Sequence, residues 1–170
     1  MSDPNKSLKD ALVKAIQAEI EGHNFYLMAA RTTDDVKGKE VFGQMAADET
    51  EHAAFLKGQY RSIIESGSPD KNLKLNARTQ YADSSPIFSD SLKSRAGEAH
   101  FEVTALSIAI QLELNALNFY RSQSRAADND IVRNFFAELA EWEMGHYKAL
   151  LKQHDLLKED YWNAAGFAPF

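Results

Sequence analysis

Apolar residues recur at spacings of three and four along four long stretches of the chain, none of which contains proline. This spacing gathers apolar side chains on one face of an α-helix, so each stretch is predicted to be an amphipathic helix. The four predicted helices cover about Ser7–Arg31, Asp35–Glu65, Gly97–Arg125 and Asn129–His154. Short polar turns join the first helix to the second and the third to the fourth, which predicts two antiparallel helix pairs.

A polar segment, residues 67–96, separates the two helix pairs. Gly67 and Pro69 end the second helix, and the following residues are rich in Ser, Asp and Asn. The chain is therefore predicted to be a single all-α domain, a four-helix bundle with pairs at 7–66 and 97–155 and a long crossover between them. The aromatic residues of the segment 156–170 predict a tail that either caps the core or forms a subunit contact.

The two helix pairs are copies of each other. A shift of 94 positions aligns Ala15-Ile16-Gln17 with Ala109-Ile110-Gln111, and Asn24-Phe25-Tyr26 with Asn118-Phe119-Tyr120. The same register continues through the turn into the second helix of each pair without a gap. These matches far exceed those of a chance alignment, which indicates an internal duplication.

The duplication repeats a set of glutamates and histidines. In the first hairpin, Glu19 and Glu49 lie at equal distances from the turn, about 15 residues or roughly 22 Å each. Glu113 and Glu143 are placed in the same way in the second hairpin, and a histidine three residues after a glutamate shares its helix face. The predicted ligands of a metal centre at mid-bundle are Glu19, Glu49, His52, Glu113, Glu143 and His146.

The charge of this set predicts two divalent cations. Four carboxylates and two neutral imidazoles carry a charge of −4, and burying them without cations would cost several kcal/mol of hydration per ion. Oxygen ligands with one nitrogen per metal suit iron, with manganese or zinc as alternatives. Because the two halves are near-copies, we expect two ions bound with similar affinity.

The repeat also separates this set from other acidic and histidine residues. Glu21 aligns with Asn115, and Glu51 aligns with Gly145, so both glutamates are predicted to be surface charges. His23 lies one turn after Glu19 but has no histidine at its repeat position, and it is predicted to be peripheral. A single Glu-x-x-His is typical of a solvated helix face, so the metal interpretation depends on the duplicated set.

With this ligand pattern the chain resembles the ferritin-like superfamily, and within it the rubrerythrin-like branch. The resemblance covers all four helices. It implies that Glu49 and Glu143 bridge two metals. It also implies terminal ligands at each metal, which are Glu19 with His52 and Glu113 with His146.

The resemblance further implies that Tyr26 and Tyr120 hydrogen-bond to ligand carboxylates.

Two features depart from the family pattern. The 170 residues contain no cysteine, and so lack the four cysteine ligands of a rubredoxin domain. Ala116 occupies the position where rubrerythrins carry a glutamate that exchanges with a histidine as the iron changes oxidation state.

By this resemblance the protein is expected to be a di-iron oxidoreductase that reduces hydrogen peroxide or dioxygen with electrons from an external donor. Two alternatives remain open, which are a ferroxidase or iron-handling protein, and a metal-stabilised helical interaction module. A homodimer is expected, in which the crossover either spans its own bundle or exchanges a helix pair between protomers.

Composition narrows the possible partners, location and chemistry of the protein. The net charge of −6 and the absence of a Lys/Arg run argue against nucleic acid and anionic membranes as partners. No stretch resembles a signal peptide or a spanning helix, so a cytoplasmic location is expected. The lack of cysteine excludes disulfides, thiol catalysis and cysteine-ligated metals within these residues.

Overall fold

The computed structural model describes residues 5–81, 86–164 and 166, and within these ranges all regular structure is helical. The long helices are α1 (Lys6–Thr32), α2 (Val36–Ser66), α4 (His100–Ala126) and α5 (Asp130–Ala164). α1 packs along α2, and α4 packs along α5. The predicted four-helix bundle of two antiparallel pairs is therefore confirmed.

The ends of the helices follow from local sequence. Asp35 caps α2 by accepting a hydrogen bond from the amide of Gly38 at 2.7 Å, and Asn129 caps α5 through the amide of Ile131 at 2.8 Å. Gly67 ends α2 in the left-handed conformation, with φ of 75°, which a residue without Cβ adopts readily. These caps set the two hairpin turns and the start of the crossover.

From residue 86 onward, the crossover contains more regular structure than the predicted polar loop. It contains a short helix α3 (Asp90–Lys93) and a 3₁₀ turn (Ala96–Glu98). Phe88 is buried against α2 so closely that a Cβ on Gly38 would lie 2.8 Å from its ring. The backbone amide of Ser89 also donates to Asp35, so this part of the crossover is tied to the start of α2.

α5 differs from its predicted end. The helix continues past His154 to Ala164, through much of the segment predicted as a tail. Leu157 is buried, and the hydroxyl of Tyr161 lies 2.9 Å from Nδ1 of His100 at the start of α4. These tertiary contacts stabilise the last turns of α5. The local sequence did not indicate that the helix continues this far. The predicted contacts of Phe167 and Phe170 lie outside the described residues.

Two apolar clusters fill the bundle, one toward each end, and they are related by the repeat. Tyr26 stacks on Phe42 in one cluster with ring centroids 6.2 Å apart, and Tyr120 stacks on Phe136 in the other at 6.0 Å. The internal duplication is thus visible in the packing. Among the described helices, none combines the length and apolarity that crossing a membrane requires.

Candidate metal centre

All six predicted ligand residues meet between the two apolar clusters. None of them exposes more than 3% of its surface. Their ligand atoms form two overlapping groups, and within each group all atoms lie within 4.8 Å of one another. The groups consist of Glu19, Glu49, His52 and Glu143, and of Glu49, Glu113, Glu143 and His146. Each group therefore offers one nitrogen and three carboxylates.

Glu49 and Glu143 are shared by the two groups. One oxygen of Glu49 lies 3.3 Å from Nδ1 of His52, and its other oxygen lies 3.3 Å from Nδ1 of His146. The two oxygens of Glu143 are divided in the same way, at 3.3 Å and 3.8 Å. Each carboxylate thus presents one oxygen to each half of the site, as a bridging ligand requires.

Glu19 and Glu113 each belong to one half only. Glu19 lies 3.2 Å from Nδ1 of His52, and Glu113 lies 3.4 Å from Nδ1 of His146. The tyrosine hydroxyls donate across the bundle, from Tyr120 to Glu19 and from Tyr26 to Glu113. Each tyrosine therefore orients a glutamate of the other helix pair and holds the two pairs together.

Burial and crowding of charge change the proton affinity of the cluster. Burial, together with the neighbouring Glu49, raises the pKa of Glu19 to about 8, and burial with three nearby carboxylates raises the pKa of Glu143 well above its usual range. Burial alone would lower the pKa of His52 and His146, but the surrounding carboxylates raise both pKa values well above normal. The metal-free cluster thus retains protons that cations would displace.

The donor set fits two divalent cations. Nδ1 of His146 and one carboxylate oxygen of Glu143 are buried, and neither has a hydrogen-bond partner among the described residues. Both atoms face the centre of the cluster. Carboxylate oxygens with one imidazole nitrogen per half suit iron or manganese, and also zinc.

A cavity of about 260 Å³ opens onto this cluster between α1 and α4. Its walls include Gly22, Ala116 and Phe119, and the four clustered glutamates face it. Gly22 has no side chain and that of Ala116 is a single methyl group, so this space stays open. A small molecule could therefore reach the glutamates from this side of the bundle.

Of the residues set aside by the repeat, Glu21 lines the cavity but is not a member of the cluster. Glu21 and Glu51 are exposed. His23 points toward α2, where Nδ1 lies 2.8 Å from the carbonyl oxygen of Ala46. None of the three belongs to either candidate metal-binding group formed by the described residues.

Sequence reasoning missed a buried acid beside the cluster. Asp48 is 2% exposed, and its carboxylate lies 3.1 Å from Nε2 of His146, on the side of the ring away from the cluster. Its repeat position is occupied by Trp142, so the duplication that revealed the other acids did not mark it. The sequence signal for a buried Asp48 was its position directly before Glu49, on the buried face of α2.

Comparison with known proteins supports this fold and identifies a family. No curated protein matches the chain. A hypothetical protein from Pyrococcus furiosus has a similar fold, with a TM-score of 0.67 and 24% identity over 91% of this chain and 92% of that one. The rubrerythrin family model matches residues 10–102 and 104–165. Because this match spans most of the chain, the chain belongs to the rubrerythrin family, which is part of the ferritin-like superfamily.

Proposed function

We propose that this protein is a di-iron oxidoreductase that reduces hydrogen peroxide or dioxygen with electrons from an external donor. The observation that carries the proposal is the buried Glu/His cluster whose two shared carboxylates face both histidines and the cavity. The volume of about 260 Å³ suits a small oxidant. Family membership supports iron as the metal.

The side chains have separable roles in this proposal. When bound, two ferrous ions supply one electron each, and peroxide reduction consumes two electrons and two protons to give two water molecules. Glu49 and Glu143 hold both halves together, while the hydroxyls of Tyr26 and Tyr120 orient the remaining glutamates. The carboxyl groups that face the cavity can hold and deliver the protons.

We expect the diferrous protein to react faster with hydrogen peroxide than with dioxygen, because peroxide needs only the two electrons that the paired site holds. Stopped-flow mixing of the anaerobic diferrous protein with each oxidant, followed by ferric absorption, measures both rates. Metal analysis beforehand should give about two ions per chain. Equal rates with equimolar oxidants would instead support an oxidase or ferroxidase.

A ferroxidase or iron-handling role is the second candidate, and Ala116 favours it. This alanine lines the cavity where a redox-exchanging glutamate would stand in a peroxidase of this family, so that exchange is absent here. Iron would then be the substrate and enter through the same cavity. Iron storage also needs a hollow shell of subunits, which chromatography distinguishes from a dimer.

We propose a homodimer as the assembly. Val13, Ile20 and Met28 recur at helical spacing along α1 and are each 41–50% exposed, which forms an apolar stripe that a second copy can cover. Ile20→Glu is expected to shift the protein from dimer to monomer in light scattering at micromolar concentration. Glu21→Ala, on the adjacent exposed position, is the control. A wild-type protein that is monomeric throughout this range would contradict the proposal.

A further inference from the structure

The two histidines of the cluster have different surroundings. Nδ1 of each histidine faces the carboxylates, but Nε2 of His146 lies 3.1 Å from Asp48. Nε2 of His52 is buried and has no hydrogen-bond partner among the described residues. The ring of Trp142 packs against His52 instead, with centroids 4.8 Å apart. The repeat aligns Asp48 with Trp142, so the two halves differ at this pair of positions beside the histidines.

The crossover holds Asp48 in place. The hydroxyls of Tyr81 and Thr79 donate to its carboxylate at 2.6 Å and 2.9 Å, and Gln44 of α2 donates at 2.9 Å. The ring of Tyr81 also packs against that of His146, with centroids 5.3 Å apart. Because Tyr81 and Thr79 belong to the crossover between the pairs, the repeat offers no counterpart for them at the other histidine.

We propose that Asp48, held by Tyr81 and Thr79, is a positioning residue for His146 and makes its half of the centre the tighter, first-filled metal site. A carboxylate that accepts the Nε2 proton fixes the tautomer with a free lone pair on Nδ1, orients the ring and raises its basicity as a ligand. His52 has no such partner in the part of the chain that the structure describes. The half-sites are therefore unequal, in place of the similar affinities expected from the repeat.

The inference rests on the metal centre of the proposed function, and zinc binding tests both separately. Full-length apo protein labelled with ¹⁵N-histidine is titrated with zinc, which is diamagnetic, and the ring resonances are followed by NMR. At one equivalent, the His146 resonances are expected to shift before those of His52. Competition with a chelator should give two dissociation constants that differ by about tenfold or more.

Asp48→Asn is expected to weaken the tighter step by about 10–100-fold. Two ions should still bind, and the Nε2 proton of His146 should lose its downfield shift while the His52 resonances stay unchanged. Tyr81→Phe removes one hydrogen bond to Asp48 and should weaken zinc binding at the tighter site by a smaller factor. Trp142→Phe, at the repeat-equivalent position, is the matched control and should leave the tighter step unchanged.

The outcomes separate the two proposals. If the wild type binds no zinc, the metal centre fails and the inference fails with it. If two ions bind with equal constants, or if Asp48→Asn weakens both steps equally, the inference is overturned while the metal centre stands. Should circular dichroism show that Asp48→Asn is unfolded, the order of resonance shifts in the wild type and the Tyr81→Phe constants decide the matter.

Discussion

Replacement of Glu49 or Glu143 by alanine is expected to lower the metal content from about two ions per chain to less than one. Each of these carboxylates presents one oxygen to each histidine, so its loss removes a ligand from both halves. The expected weakening exceeds about 100-fold, the upper range for losing a residue that only supports a ligand. Glu19→Ala or Glu113→Ala removes a ligand from one half and should spare one ion.

Exposed glutamates on the same helices provide the controls. Glu51 lies two residues after Glu49, Glu141 lies two residues before Glu143, and both are exposed. Their substitution by alanine is the control. Metal analysis after reconstitution with ferrous iron should find no change in these variants. Glu143→Gln preserves the size of the side chain and should lose metal even though its apo form folds. A centre emptied by Glu51→Ala but not by Glu49→Ala would show that the ligand register is wrong.

Metal removal is expected to destabilise the protein most at alkaline pH, and the apo protein should become more stable as pH falls from 8 to 5. The folded pKa of Glu19 is raised to about 8, so between 4.5 and 8 the native state binds more protons than the unfolded state. For each extra proton that the native state binds, the free energy of unfolding falls by about 1.4 kcal/mol for every unit that the pH rises. Glu143 and the two histidines act in the same direction, since their folded pKa values are also raised.

The carboxylates of Glu49 and Asp48 have the opposite sign but act outside this window. Hydrogen bonds lower the pKa of Glu49 and Asp48 despite their burial, so their contribution to stability is lost only as pH falls below about 4.5. Bound metal replaces the retained protons and should remove most of the pH dependence. At free metal about 1,000 times the Kd, linkage gives about 4 kcal/mol, which corresponds to a Tm increase of roughly 10 °C.

Melting curves at pH 5, 6.5 and 8, with metal or with chelator, measure this effect. The difference in Tm between the two forms should be largest at pH 8 and small at pH 5, where protons compete with metal for the same atoms. Glu51→Ala should reproduce the wild-type curves. Curves that coincide at pH 8, or an apo Tm that rises between pH 5 and 8, would contradict the role assigned to the buried carboxylates.

The sequence by itself determined the helix pairs and the positions of the candidate ligand residues. Helical spacing of apolar residues has a fixed geometry, so the heights of Glu19 and Glu49 follow from their equal distance to the turn. The duplication then supplied a second copy of each candidate ligand and distinguished them from charges such as Glu51, which the structure places outside the cluster. These features depend on local geometry and on repetition, and both can be read along a single chain.

Tertiary structure alone decided the individual hydrogen-bond partners across the bundle. Tyr26 crosses to Glu113, and Asp48 reaches His146 with support from Tyr81, a residue of the crossover. α5 likewise continues to Ala164 because Leu157 and Tyr161 find distant partners. Such contacts depend on how the two helix pairs dock and on where the crossover, which has no counterpart in the repeat, packs against them. The periodicity of a single segment encodes neither the docking nor the path of the crossover.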